Sequence, residues 1–283
     1  MRALLCCLAL VACSGAAPKS DDPGESHLSG SDTGLADDSG DSGDSGDSGD
    51  SGDSGDTADT GDTGEAGDTG DTGDTGEVDP WPIDGMGVLS GDCGDLLDPS
   101  LIEDPTPRLF QTELDLGTDG FDESALSEGG AEIWEDGNLG GSSVESEVVA
   151  YEVLYRCEGA GLLKTESEVV YTDPSGKKTD LIVELDGYTI GVSVTRAVGW
   201  PREDPYTVDH ATDLLTDKLA DIPLSTANVA PEDAWTRQIL SVIAYAPEHA
   251  VSIETAWGAL DAEVRGDTVL FVTATNGDDD ALY

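Results

Sequence analysis

Residues 28–78 of this 283-residue chain form a near-periodic run of Asp-Ser-Gly and Asp-Thr-Gly triplets, which limits what the chain can fold into more than any other feature. Such a segment has almost no apolar side chains to bury, so it cannot offset the entropy of ordering its backbone, and its like charges repel. Residues 13–78 therefore read as a disordered tether, reaching on the order of 100 Å when extended. The triplet matches neither the nine-residue calcium-binding β-helix repeat nor the EF-hand loop, which favours a solvated spacer whose hydroxyls are candidate sugar acceptors. Roughly 200 residues remain for folding, enough for one domain with a core of its own.

The first residues specify a destination. Met1-Arg2 is a short positive start, residues 3–11 are apolar but too few to span a bilayer, and Leu10-Val11-Ala12-Cys13 ends in cysteine. This resembles a bacterial lipoprotein signal, in which residues 1–12 are removed and Cys13 carries the lipid. The alternative is an ordinary secretory peptide cut near Ala16 or Ala17. Ser14 after the cysteine resembles the arrangement that permits passage to the outer membrane. The resemblance implies a cell-envelope protein whose membrane partner is reached through acyl chains at Cys13. Cys6 and Cys7 leave with the signal, so Cys93 and Cys157 remain for one disulfide in an oxidising compartment, or as two separate buried thiols.

After Asp79-Pro-Trp-Pro-Ile83, residues 79–141 offer scattered apolar anchors without a period, and read as an irregular extension with a short helix near Glu123 to Ser127. Regular structure is expected from Ser142. Ser142 and Glu145 have capping-box spacing ahead of a helix to about Cys157, with Val144, Val148, Tyr151 and Tyr155 on one side. Three strands follow: about Leu162 to Thr172, Thr179 to Leu185, and Tyr188 to Thr195. They are divided by the turns Asp173-Pro-Ser-Gly176 and Asp186-Gly187. A helix from Val208 to Ile222 is expected to end at Pro223, then a strand from Ile239 to Ala244, a helix from Pro247 to about Leu260, a strand from Thr268 to Thr275 and an acidic solvated end. The order predicts an α/β fold over 142–283 with a mixed central sheet flanked by helices.

On the middle strand Asp180, Ile182, Glu184 and Asp186 share a face, placing a carboxylate row there. Over Ser142 to Ala244 the order of helix, three-strand meander, helix and strand resembles the restriction-endonuclease-like, or PD-(D/E)xK, superfamily. That resemblance implies Mg²⁺ as cofactor, held by Asp180, with a Glu-x-Lys pair on the next strand. Ser193 and Thr195 stand where that pair would fall, and neither supplies its charge. If the groups have migrated, the candidates are Glu184, Glu168, Glu145 and Glu152 for the metal, with Lys178 and Arg196 as cations. Gln238 resembles a glutamine found in some nuclease branches. Each also has a plainer role: solvated sheet face for Asp180 and Glu184, exposed turn lysines, a structural ion pair for Arg196.

Charge bears on the choice. From Ser142 onward there are 26 Asp and Glu against 9 Lys and Arg, a net charge of −17. Duplex binding draws most of its affinity from neutralised phosphates, so nucleic acid is disfavoured as a partner, leaving a protein or glycan ligand as the expectation. Sequence alone thus points to a displayed, non-catalytic nuclease-like binding domain, with a Mg²⁺-dependent nuclease of migrated residues as the alternative. Because one cysteine would carry all acylation, Cys13→Ser should move the protein from the membrane fraction to the soluble fraction on detergent partitioning. Retention in the detergent phase would contradict the lipid anchor.

Overall fold

The computed structural model describes residues 82–137, 144–202 and 204–283, which fall in the unit Gly70–Tyr283. The signal peptide 1–12, Cys13, the tether 13–78 and the cap Ser142 lie outside the described residues. In chain order the elements are β1 (Val88–Gly91), α1 (Pro99–Glu103), β2 (Arg108–Asp115), α2 (Glu128–Asp136), α3 (Val144–Glu158), β3 (Gly161–Thr165), β4 (Leu181–Leu185), β5 (Tyr188–Ala197), α4 (Val208–Asn228), β6 (Arg237–Ala244), α5 (Pro247–Ala259), α6 (Ala262–Arg265) and β7 (Val269–Asn276). The seven strands make one mixed sheet in the order β1-β2-β7-β6-β5-β4-β3. β2, β7, β6 and β5 run parallel to one another, while β3, β4 and β5 form the antiparallel meander and β1 pairs antiparallel with β2.

Turn chemistry builds the centre of this sheet. Asp186 and Gly187 both take positive φ, 47° and 83°, as a two-residue hairpin between twisted strands requires. Asp173 closes the earlier turn by accepting Gly176 N–H on its backbone oxygen at 3.0 Å and Ser175 N–H on its carboxylate at 2.9 Å. The two sheet faces then bury different helices. Leu181, Val183, Leu185, Ile190, Val192, Ile239 and Phe271 join the apolar face of α3 in one core. Leu240, Val242, Ala244, Leu270 and Val272 join Leu215, Leu219, Ile253 and Trp257 of α4 and α5 in the other.

Several boundaries differ from the sequence expectation, each for a physical reason. The extension is not irregular: it supplies β1, β2, α1 and α2, and β2 extends the parallel sheet by pairing with β7 from Arg108↔Val269 to Asp115↔Asn276. Arg237, 4% exposed, fastens the connection by donating to the carbonyls of Leu101, Asp104, Thr106 and Asp267. The first meander strand ends at Thr165, because the chain then crosses to α4, where Tyr171 bridges Val229 and Thr172 N–H donates to Asn228 O. Pro223 does not stop α4, which continues to Asn228. A proline inside a helix removes one hydrogen bond, here the one Leu219 O would accept, and the helix runs on past it because its buried face, Leu215, Leu219, Ile222 and Ser225, continues across the proline. The C-terminal end is not merely solvated: Leu282 is fully buried and its carbonyl accepts from Arg196 Nη1 at 2.8 Å.

The extension is also held covalently. Cys93 and Cys157 form a disulfide that joins it to the last turn of α3, across 64 residues of sequence. Next to it, buried Glu158 accepts Gly94 N–H at 3.0 Å and Leu96 N–H at 2.8 Å, and Arg156 donates to the carbonyls of Ile83, Met86 and Gly87. Loop-closure entropy for a link of that span is worth about 4 kcal/mol. The Cys93→Ala, Cys157→Ala pair should therefore lose up to about 4 kcal/mol in urea unfolding, and reducing agent should have the same effect on the wild type. Equal stability of oxidised and reduced protein would contradict this.

Candidate functional site

Asp180 is the residue around which the expected site can be tested. It sits one position ahead of β4; its N–H donates to Val192 O at 3.0 Å, and its carboxylate accepts Val194 N–H at 2.6 Å. The side chain thereby takes a ladder position on β5 that the β4 backbone does not fill. Although part of the residue reaches the surface, its carboxyl is enclosed. Burial pushes it up to about 6, the Val194 bond opposes this, Glu166 adds repulsion and Lys218 attraction. Glu147, on the first turn of α3 and only 5% exposed, is pushed up to about 8 by burial and then by Asp180 and Glu166. Asp180 and Glu166 thus both act on Glu147, and Glu166 acts on Asp180.

The other predicted ligands are elsewhere. Glu184 is exposed, four residues along the strand from Asp180 and thus about 13 Å away. Between them Ile182 is buried against Trp235, Val169 and Val229, so the carboxylate row is interrupted by a small apolar cluster. A Cβ at Gly191 would lie 2.8 Å from the Trp235 ring, which explains why that strand position has no side chain. Glu168 is exposed and accepts Thr165 N–H at 3.1 Å. Glu152 is buried and accepts both the N–H and the hydroxyl of Ser127, each at 2.7 Å, which anchors the start of α2. Among the described residues no three His, Cys, Asp or Glu side chains meet as a metal would require. The residue set predicted for Mg²⁺ does not fit that ion.

The predicted cations Lys178 and Arg196, and Lys177 next to Lys178 in sequence, are also engaged separately. Lys177 pairs with Asp221 at 2.7 Å, Lys178 lies over the Tyr171 ring 5.7 Å from its centroid, and Arg196 reaches Leu282 O from the α3 face of the sheet. They make no common basic strip.

Ser193 and Thr195 lie on the α4 side of β5, and Ser193 belongs to a polar network buried there. Gln238 Nε2 donates to Ser193 Oγ at 2.8 Å and to Thr179 Oγ1 at 3.1 Å, while its Oε1 lies 3.1 Å from Thr226 Oγ1 and 3.3 Å from Ser225 Oγ, whose single protons it shares with Ile222 O. Both amide hydrogens of Gln238 are donated, and its oxygen has hydroxyl donors within reach. Thr179 and Ser193 also contact each other at 3.3 Å, Trp235 Nε1 donates to Thr226 Oγ1 at 3.1 Å, and Tyr171 OH bonds both backbone groups of Thr179. A closed network of this kind holds its hydroxyls for structure. Thr195 is half-buried beside it.

Sequence reading missed Glu147 and Glu166. For Glu147 a signal existed: it falls three residues after Val144 and one before Val148, inside the apolar stripe of α3, where a carboxylate must be neutralised, paired or functional. Glu166 left no such trace, because it acts through a turn.

No family model matches the sequence, and no solved structure matches it. The chain is similar to the AAC-rich mRNA clone AAC4 protein of Dictyostelium discoideum, 38% identical over 160 residues that cover 54% of this chain and 23% of that protein. The chain spans about a quarter of that relative's length, and the relative's name states no activity.

The buried acids give a pH dependence of definite sign. Glu147, Glu158 and Asp180 are raised to about 8, 7 and 6 in the folded state, so the folded protein binds more protons than the unfolded chain between roughly pH 4.5 and 8. Their stabilising contribution is complete below the unfolded carboxylate range and is lost as pH rises through the folded values. Denaturant unfolding should thus show stability increasing by roughly 2 kcal/mol or more from pH 8 to pH 5, and Glu147→Gln should flatten that slope. A profile that is flat or falls on acidification over this range would contradict the assignment.

Proposed function

We propose that this chain is a cell-envelope lipoprotein, anchored at Cys13, that displays a nuclease-like but non-catalytic binding domain on an acidic tether. The observation that carries the reading is Ser193. Where the resemblance implies a metal-binding carboxylate, this chain has a hydroxyl bonded to Gln238 and Thr179, and two residues on it has Thr195 in place of a lysine. A neutral hydroxyl committed to a saturated amide offers little to Mg²⁺, and no ammonium is supplied to a leaving group. The order α3, β3-β4-β5, α4, β6, with β6 parallel to β5, agrees with the core expected from the resemblance. The net charge of the domain favours a protein or glycan ligand over a nucleic acid.

One observation favours the second reading, a Mg²⁺-dependent nuclease with migrated residues. Glu166 acts electrostatically on Asp180, and both act on Glu147, so a divalent ion would find several acids within electrostatic reach of one another.

One pair of measurements separates the two. Under the binding reading, millimolar Mg²⁺ or Mn²⁺ leaves the melting curve of the full chain within about 1 °C, and neither single- nor double-stranded DNA or RNA is cut. Asp180→Asn keeps an acceptor for Val194 N–H while removing a repelled buried charge, so it should raise stability by about 1 kcal/mol at pH 7.5 and by much less at pH 5. A metal-dependent rise in melting temperature that Asp180→Asn abolishes, together with cleavage, would establish the nuclease and overturn the binding reading.

A further inference from the structure

A cavity of about 640 Å³ lies between the second half of α4 and the α6 turn. That volume is in the range of small-molecule sites, about 300 to 1,000 Å³. Leu219, Ala220 and Pro223 form one wall, Val264 stands on the other, and Trp235 and Gln238 also line it. The polar groups of Trp235 and Gln238 are already satisfied by Thr226, Ser225, Ser193 and Thr179, so this part of the lining has no hydrogen-bonding capacity left for a ligand. It accepts an apolar body.

Arg265 provides the opposite chemistry in the same lining. Its guanidinium carbon is held 5.5 Å from the Trp257 ring centroid, while its buried Nε has no hydrogen-bond partner. That Nε is closed off from the cavity, so the terminal N–H groups of the guanidinium are the donors left for a ligand. Glu263 and Asp267 also line the cavity and are exposed. Their charges exclude a polyanion such as a nucleotide or phosphate ester, and leave a single carboxylate as the charge that Arg265 can receive.

We propose that this cavity binds a small amphipathic monocarboxylate, with its apolar chain between α4 and α6 and its carboxylate accepting from Arg265. The inference is independent of whether Asp180 belongs to a metal site.

The test is calorimetric titration of the full chain carrying Cys13→Ser, which needs no detergent, with dodecanoate below its micellar concentration. Saturable one-to-one binding is expected, about tenfold tighter than for dodecanol or dodecyltrimethylammonium. Arg265→Met keeps a side chain on Trp257 but removes the donor, and should bring dodecanoate to the affinity of dodecanol; Arg265→Lys should restore part of the difference. Ala220→Trp fills the cavity and should abolish binding of both. The wild-type comparison of head groups needs no variant to fold. No saturable binding, equal or tighter binding of the ammonium, or undiminished binding to Ala220→Trp would each overturn the proposal.

Discussion

The side-chain amide of Gln238 is the constraint on which the centre of this structure depends. It is buried under α4 with both its N–H groups and its oxygen in hydrogen-bond reach, and its partners come from the approach to β4, from β5 and from α4. A buried amide left short of partners is costly, so these elements have one arrangement in which they can pack together. That arrangement puts Trp235 over Gly191, buries Ile182 beneath it and holds Ser193 as a hydrogen-bond partner. The face expected to be a wet carboxylate row is for that reason an apolar and polar mosaic closed by α4, with Asp180 displaced to its end.

What the sequence disclosed follows from how local each signal is. The Asp186-Gly187 hairpin, the apolar β6 and the amphipathic α4 are written in a few adjacent residues, and they appear where expected. The pairing of β2 with β7 joins residues about 160 apart, and nothing around Arg108 to Asp115 names the partner. Even its polar register is tertiary: Thr112 is buried only because its hydroxyl meets Thr273 Oγ1 at 3.0 Å across that pair. Pro223 misled for the reverse reason, since a strong local stop signal is overridden by the packing of α4 on the sheet.

The candidate site was legible only in part. Asp180 stood out by its position in the meander, and Gln238 by its position before a buried strand. Glu184, Glu168 and Glu152 share its chemistry but not its place, because strand rise, turn geometry and helix facing carry them to separate tasks. Glu147 reaches Asp180 from another element, and its raised proton affinity reflects burial that one helix alone does not reveal. The remaining acids of the domain, in net excess over the cations, set a field that opposes polyanions, and this bears on the Asp180 region and the α4–α6 cavity alike.

The central claim is that hydrogen bonding within the fold commits Ser193 and Gln238 to structure and leaves Asp180 without a metal. Anomalous diffraction from crystals of the protein soaked in millimolar Mn²⁺ tests it most directly, because the ion would be located rather than inferred. The account predicts no manganese peak within coordination distance of Asp180, with Ser193 Oγ still bonded to Gln238 Nε2. A peak bridging Asp180 and Glu147, or Asp180 and Glu166, would contradict it.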